Sequence, residues 1–331
     1  MNPLSIRIQF LTLCGLAIFA PATAQAQLPL QSGDRVVMIG GTLIEREQVE
    51  GYWESQITAA AAFPVTFRNL GWSGDNVWCE SRGMFDPPAE GYKRMQAQIA
   101  EINPTFVIIG YGNSEAFDGP DRIPAFQEQY RKLLTDLQAP GRRFALLAPI
   151  PMEAAAIPGR NREAAQQRAQ EYNASVTAYT NAIHAVVENT GVPVIALGAR
   201  LKSSSATPRP GKQLMTDNGI TLNAFGYYRT GQALAAMLTN TEVTADAGIQ
   251  PPKIGSVSDW NVSADTPKSE QIRSLIRHKN ELVFHRWRPQ NFTYLFGFRK
   301  HEQGNNAVEI PQFDPLVAEY EAKIQALKGE Q

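Results

Sequence analysis

Five apolar runs of strand length, at 35–39, 65–70, 105–109, 144–148 and 193–197, alternate along this chain with longer stretches of helical period. That alternation is the sign of βαβ units wound about a parallel sheet, because a parallel neighbour is reached only through a crossover connection, usually a helix. The runs lack the polar alternation of a strand with one wet face, so helices are expected on both faces of the sheet. The helical stretches lie at 44–62, 90–101, 124–137, 162–190 and 223–238. The expected fold class is α/β: a flavodoxin-like three-layer αβα sandwich with a five-stranded parallel sheet, whose ligands sit at the carboxyl ends of the strands.

The N-terminus carries a single Arg7, an apolar segment at 10–20, then Pro21 and the small-residue run Ala22-Thr23-Ala24-Gln25-Ala26. The apolar segment is too short to span a bilayer and ends in an A-x-A cleavage pattern. Residues 1–26 are therefore read as a secretory signal peptide, cut after Ala26 or Ala24, and the protein as secreted or periplasmic. Cys14 leaves with that peptide, and Cys79 then stands alone, so no internal disulfide forms. A formal net charge of -1 with 19% charged residues argues against nucleic acid as a partner. No second stretch is long and apolar enough for an integral membrane span.

Residues 27–239 form the α/β domain in this reading. A Thr, Ser, Asp, Gly and Pro-rich stretch at 240–268, with Pro251-Pro252, reads as a linker. An extension follows at 269–331, with helices at 269–282 and 315–328. Its middle is dense in aromatic and basic residues, in Phe284-His285-Arg286-Trp287-Arg288-Pro289 and Tyr294-Leu295-Phe296-Gly297-Phe298-Arg299. That many rings are costly to leave in water, so the extension is expected to pack on the domain.

Four short motifs follow the strands in order. Gly40-Gly41-Thr42 stands directly after the first strand, where Thr42 is either an exposed hydroxyl nucleophile or the N-cap of the next helix. Asn69-Leu70-Gly71-Trp72-Ser73-Gly74-Asp75 follows the second, Gly110-Tyr111-Gly112-Asn113-Ser114-Glu115 the third, and Thr216-Asp217-Asn218-Gly219-Ile220-Thr221-Leu222-Asn223 precedes the helix at 223–238. No two histidines have a chelating i, i+4 spacing and Cys79 is alone, so no metal site is read; nor does a dinucleotide-type glycine loop follow the first strand.

These motifs, in this order and each after its own strand, resemble the SGNH (GDSL-type) hydrolase family over roughly residues 34–238, in a divergent form with degenerate catalytic motifs. The similarity of the Arg286-Trp287-Arg288-Pro289-Gln290-Asn291 tail to one bacterial subgroup extends it. The resemblance implies hydrolysis of acyl esters, O-acetyl groups on carbohydrates included, with no metal or organic cofactor. It places Thr42 at the family's nucleophilic serine and Gly41 at the preceding aspartate. Gly74 takes the place of the glycine whose backbone N–H donates to an oxyanion, Ser114 that of the asparagine donor, Asn218 that of the triad aspartate and Thr221 that of the histidine base. A threonine cannot take a proton at neutral pH, and a neutral amide cannot stabilise an imidazolium.

Two functions follow from that pattern. One is a secreted SGNH-like protein whose hydrolase activity is lost or much reduced, and which binds a small acyl ester, an acetylated glycan or an exported protein partner. The other is an active esterase or deacetylase using Thr42 with an unconventional base, His301 beside Glu302 in the basic tail. Asn113, Glu115, Asp217 and Trp72 are the candidate binding residues, with Trp78 and Trp287 as further stacking platforms for sugar rings. His184, His278 and His285 sit in ordinary helical or aromatic surroundings.

Overall fold

β1 (Arg35–Gly40) is the centre of the molecule, and every residue from Val36 to Gly40 is buried. It pairs in parallel with β2 (Thr66–Asn69) on one side and β3 (Phe106–Gly110) on the other. β4 (Arg143–Leu147) and β5 (Val194–Ile195) complete an all-parallel sheet in the order β2-β1-β3-β4-β5. This is the flavodoxin-like arrangement, in which the order of strands reverses between β1 and β3 and opens a crevice at the carboxyl ends of those two strands. The computed structural model describes residues 29–159, 161–200, 213–240, 249, 251–252, 261–263, 265–302, 304 and 306–329. The expected signal peptide at 1–26 and most of the expected linker at 240–268 lie outside the described residues.

Successive side chains of β1 point to opposite faces, so one strand feeds two cores. Val36 and Met38 join Trp53, Ile57, Tyr227 and Leu234, while Val37 and Ile39 join Met95, Phe126, Tyr179 and Ile183. The first layer is built by α3 (Tyr52–Ala60) and α7 (Ala224–Thr239), pinned by the Trp53 indole N–H donating to Thr230 Oγ1 at 2.8 Å. The second consists of α4 (Pro88–Ile102), α5 (Ile123–Asp136) and α6 (Arg162–Val186). Burying each such side chain contributes about 1.5–3 kcal/mol, which is how a chain without a disulfide holds this sheet.

The helix expected at 44–62 is three pieces, α1 (Thr42–Glu45), α2 (Glu47–Glu50) and α3. Gly51 breaks it in the left-handed region, at φ 67°, where a side chain is strained. A Cβ there would also stand 3.0 Å from Arg277 Cγ of α8 (Lys268–Trp287), so the break lets α8 approach. α8 runs five residues beyond the expected end at 282. It is anchored by a buried Lys279–Glu54 ion pair, by Arg277 Nε donating to Val49 O at 2.7 Å and by Arg273 donating to Glu50 O at 2.9 Å. α10 (Phe313–Gly329) packs along α8, and its Glu321 pairs with Arg68 of the edge strand β2. Lys279 of α8 donates to the Phe67 carbonyl, which the neighbouring Arg68 also reaches, so the C-terminal helices satisfy part of an otherwise open sheet edge.

Candidate functional site

The carboxyl ends of β1 and β3 open into a cleft of about 220 Å³, lined among others by Thr42, Asn113, Ser114, Glu115, Tyr172 and Thr221. Three loops build it, and each is held by backbone or buried polar contacts. Gly41 is the N-cap of α1, making no side-chain cap, and Thr42 is the first helical residue, so the N-cap role considered for Thr42 is not the one it plays. Its hydroxyl accepts a hydrogen bond from the Gly74 backbone N–H at 3.0 Å. Gly74 has φ 72°, the left-handed region that favours glycine, and that turn aims its N–H at the tip of β1.

Beneath this pair lies a buried polar cluster. Arg82 Nε donates to Asp75 Oδ2 at 2.7 Å, and the Tyr111 hydroxyl donates to the same oxygen at 3.0 Å. Arg82 also donates to the Leu70 carbonyl at 2.7 Å, which ties both ends of the 70–75 loop to one guanidinium. Burial alone would favour a neutral Arg82, but the surrounding Tyr111, Asp75 and Cys79 groups outweigh it and hold the guanidinium protonated, while burial, with Cys79 and Asp75 adding, leaves the Tyr111 phenol well above its ordinary range. Burial pushes the neighbouring Cys79 thiol up to about 12, so it is no nucleophile at neutral pH.

Glu115 closes the cleft floor. Its carboxylate accepts from the Val77 N–H at 2.7 Å and the Gly112 N–H at 2.8 Å, stapling the 75–77 loop to the loop after β3. Burial pushes its carboxyl up to about 7, with the nearby Asp75 charge adding and the backbone donors opposing. Ser114 Oγ donates to the Asp75 carbonyl at 3.2 Å. Asn113 bridges to the loop after β4, giving Nδ2 to Ile150 O and accepting from Ile150 N. Tyr172 of α6 donates to the Asn113 carbonyl at 2.8 Å.

The last wall is the 216–222 loop, closed by a bridge between Thr216 and Leu222. Glu153 holds it from outside, accepting from Met215 N, Thr216 N and Thr216 Oγ1. Thr221 faces the cleft. Asn218 is exposed, and its Oδ1 accepts from the Ile220 and Thr221 N–H groups at 3.2 and 2.9 Å, an Asx turn within the loop. Asp217 is exposed as well and meets Arg46 at 3.5 Å.

Thr42, Gly74, Ser114, Asn113, Glu115 and Thr221 are thus brought together, while Asn218 and Asp217 sit on the outer side of the same loop. Trp72 does not line this cleft; its ring packs under Arg288, with Arg288 Cζ 4.0 Å from its centroid. Trp78 lies by Arg122 and Trp287 by Arg286, both elsewhere. His301 is exposed in the turn beyond α9 (Phe292–Leu295), and Glu302 beside it pairs with Arg299. No histidine lines the cleft among the described residues. The Asp75–Arg82–Tyr111 cluster escaped the motif reading, because Arg82 lies outside the motifs and nothing local marks it as buried. Among the described residues no group of three His, Cys, Asp or Glu could hold a metal, and no helix is long and apolar enough to cross a membrane.

Neither a protein-family model nor a curated protein matches the chain. Solved structures do. A gut microbial diltiazem-metabolizing enzyme superposes with a TM-score of 0.51 at 14% identity, covering 92% of this chain and 91% of that one. An acetylxylan esterase from Geobacillus stearothermophilus, solved as a catalytic mutant, gives 0.44 at 13% identity over 63% of this chain and 96% of its own. A protein assigned to the lipolytic G-D-S-L family from Desulfitobacterium hafniense gives 0.44 at 16% identity, over 61% and 98%. The first likeness shows a shared fold that continues past the α/β domain into the C-terminal helices.

Proposed function

We propose that this chain is an exported relative of the SGNH esterases that binds a small acyl ester or an O-acetylated sugar in the strand-tip cleft and hydrolyses it poorly or not at all. The observation that carries the reading is the pairing of Thr42 with the Gly74 N–H in a cleft whose base position is a threonine. A backbone N–H facing the first strand tip is the donor an acyl oxygen needs, and it requires no particular side chain. What acyl transfer also needs is an acceptor for the nucleophile's proton. Thr221 has no basic atom, and Asn218 spends its carbonyl oxygen on the turn.

Glu115 is the one carboxyl among the cleft residues with a raised proton affinity, yet both its oxygens already accept from backbone amides. It serves the loops rather than Thr42. His301, outside the cleft lining and exposed, offers no support for the unconventional-base alternative. Binding and oxyanion donation without a working triad leave at most about 10³–10⁴-fold acceleration over water.

The test is hydrolysis of an aryl acetate by the purified chain beside Thr42→Ala. Equal, near-background rates in both, together with saturable binding of an acetylated oligosaccharide that weakens in Thr42→Ala, are the expected result. Turnover that disappears in Thr42→Ala would overturn the loss of activity and make Thr42 a nucleophile. Export is checked separately, by locating the processed chain outside the cytoplasm of the producing cell.

A further inference from the structure

A second cavity, of about 330 Å³, lies on the other side of the 72–75 loop, between α4 and the segment that joins α8 to α9. Asp75 lines the strand-tip cleft and Trp72 lines this one, so the two share a wall without sharing an opening residue. Its sides are mostly apolar and aromatic, including Trp72, Trp287, Phe292 and Phe296. Three guanidiniums are laid against those rings: Arg288 at 4.0 Å from the Trp72 centroid, Arg286 at 4.2 Å from Trp287 and Arg94 at 4.6 Å from Phe292. A guanidinium near a ring face gains cation–π attraction and keeps its N–H donors for a planar anion.

The charges are unevenly answered. Arg82 is neutralised by Asp75, Arg94 by Asp86, and Arg286 by Glu101 and Asp314. Arg288 has one counter-charge, Glu45 at 3.5 Å, and among the described residues its side chain makes no hydrogen bond, although only 27% of it is exposed. Burial pulls its proton affinity down, with the Glu45 charge offsetting and Arg82 adding to the repulsion. A half-buried fork of donors whose one counter-charge stands at 3.5 Å, longer than a good hydrogen bond, has donors left over for a carboxylate, which takes two parallel charge-assisted bonds. The apolar walls then select what carries that carboxylate: a flat hydrophobic body, against which a sugar acid would have to strip its hydroxyls of water.

We infer that this cavity is a ligand site for an arenecarboxylate, an aromatic acid whose ring lies among Trp287, Phe292 and Phe296 and whose carboxylate meets Arg288. The site is formed jointly by the α/β domain and the C-terminal extension, and it is independent of whether the strand-tip cleft hydrolyses esters. Nothing in its lining performs chemistry on the acid, so it is a binding site, with the ligand held next to the loop that carries Gly74.

The experiment is calorimetric titration of the full purified chain with 2-naphthoate, and in parallel with the neutral 2-naphthamide and with glucuronate. Saturable binding of naphthoate is expected, weaker by about 10- to 100-fold for naphthamide and in Arg288→Gln. Ala97→Trp, which fills the cavity from an exposed position on α4, is expected to abolish binding while circular dichroism and thermal midpoint stay those of the parent. Thr42→Ala is expected to leave naphthoate binding unchanged. Equal affinity for naphthoate and naphthamide, binding that survives Ala97→Trp, loss of binding in Thr42→Ala, preference for glucuronate, or no saturable binding would each overturn the assignment.

Discussion

Replacing Glu115 by Gln asks whether the cleft floor carries a proton that ordinary glutamates lose. A carboxyl raised from its ordinary 4.5 to about 7 is protonated in the folded chain across a window where the unfolded chain is ionised. Below about pH 4.5 both states hold the proton, so this group contributes no pH slope. Between about 4.5 and 7 the folded state binds the extra proton, and stability falls as pH rises; above about 7 both are ionised and the folded state bears the full cost of a buried charge. The difference between the two plateaus is about 3 kcal/mol, from about 1.4 kcal/mol per pKa unit. Glu115 is 2% exposed, so solvent screens little of it.

Glutamine matches the protonated form in charge, but its NH2 must face one of the two backbone N–H groups, which adds a pH-independent loss of about 1–3 kcal/mol. Denaturant unfolding of parent and Glu115→Gln at half-unit steps from pH 5 to 8 isolates the group, because the burial-raised Glu47, Glu50 and Glu54 give the same slope in both proteins. The variant is expected to lie below the parent by about 1–3 kcal/mol near pH 5 and to gain on it by up to about 3 kcal/mol by pH 8. A variant less stable than the parent by one constant margin at every pH would refute the reasoning. Glu115 would then be an ordinary ionised staple, stabilised by its two backbone donors.

The Lys279–Glu54 pair is nearly solvent-free at 1% and 4% exposure, so Lys279→Met strands a buried carboxylate and is expected to cost about 3–5 kcal/mol in denaturant unfolding. Adding Glu54→Leu should recover most of that loss, since the apolar pair leaves no charge behind; no recovery would mean that the ion pair itself supplies the stability. Restoring Ser, Asp and His together, as Thr42→Ser, Asn218→Asp and Thr221→His, is expected to raise aryl acetate hydrolysis about 100-fold or more over the parent. The three single variants should show little, because triad members act as a unit, and a folded triple variant at the parent rate would mean that position 221 is not where a base is needed.

The centre of the sheet was legible because β1 and β3 are buried on both faces and so read as unbroken apolar runs: 35–39 and 105–109 lie within a residue of them, whereas the edge strand β2 alternates buried and half-buried residues. The helix at 44–62 was misjudged in continuity, because Gly51 breaks it for the sake of α8, more than 200 residues away in sequence. Motif order placed Thr42, Gly74, Ser114 and Thr221 at one cleft, since local turns after strands are local facts. What pattern could not reach were polar contacts fixed by tertiary packing: Arg82 beneath Asp75, Lys279 against Glu54, Arg288 over Trp72. A basic or acidic residue on an otherwise polar stretch carries no mark of burial until the partner arrives from a distant segment.

The backbone donor of the cleft is held by contacts that lie outside Thr42, Asn218 and Thr221. A Cβ on Gly41 would stand 2.8 Å from the Asp75 carbonyl oxygen, so the 72–75 loop closes directly over that glycine. That loop is held by Arg82 through Asp75 and Leu70 O, by Trp72 N–H to Gly40 O, and by Ser73 to Glu45. None of those contacts involves Thr42, Asn218 or Thr221, so the Gly74 donor keeps its aim whatever stands at the triad positions. Glu45 in turn faces Arg288, which links the same loop to the second cavity. A substitution at Arg82 or Asp75 is therefore expected to disturb the Gly74 donor more than one at Thr42, Asn218 or Thr221, as amide hydrogen exchange at Gly74 would show.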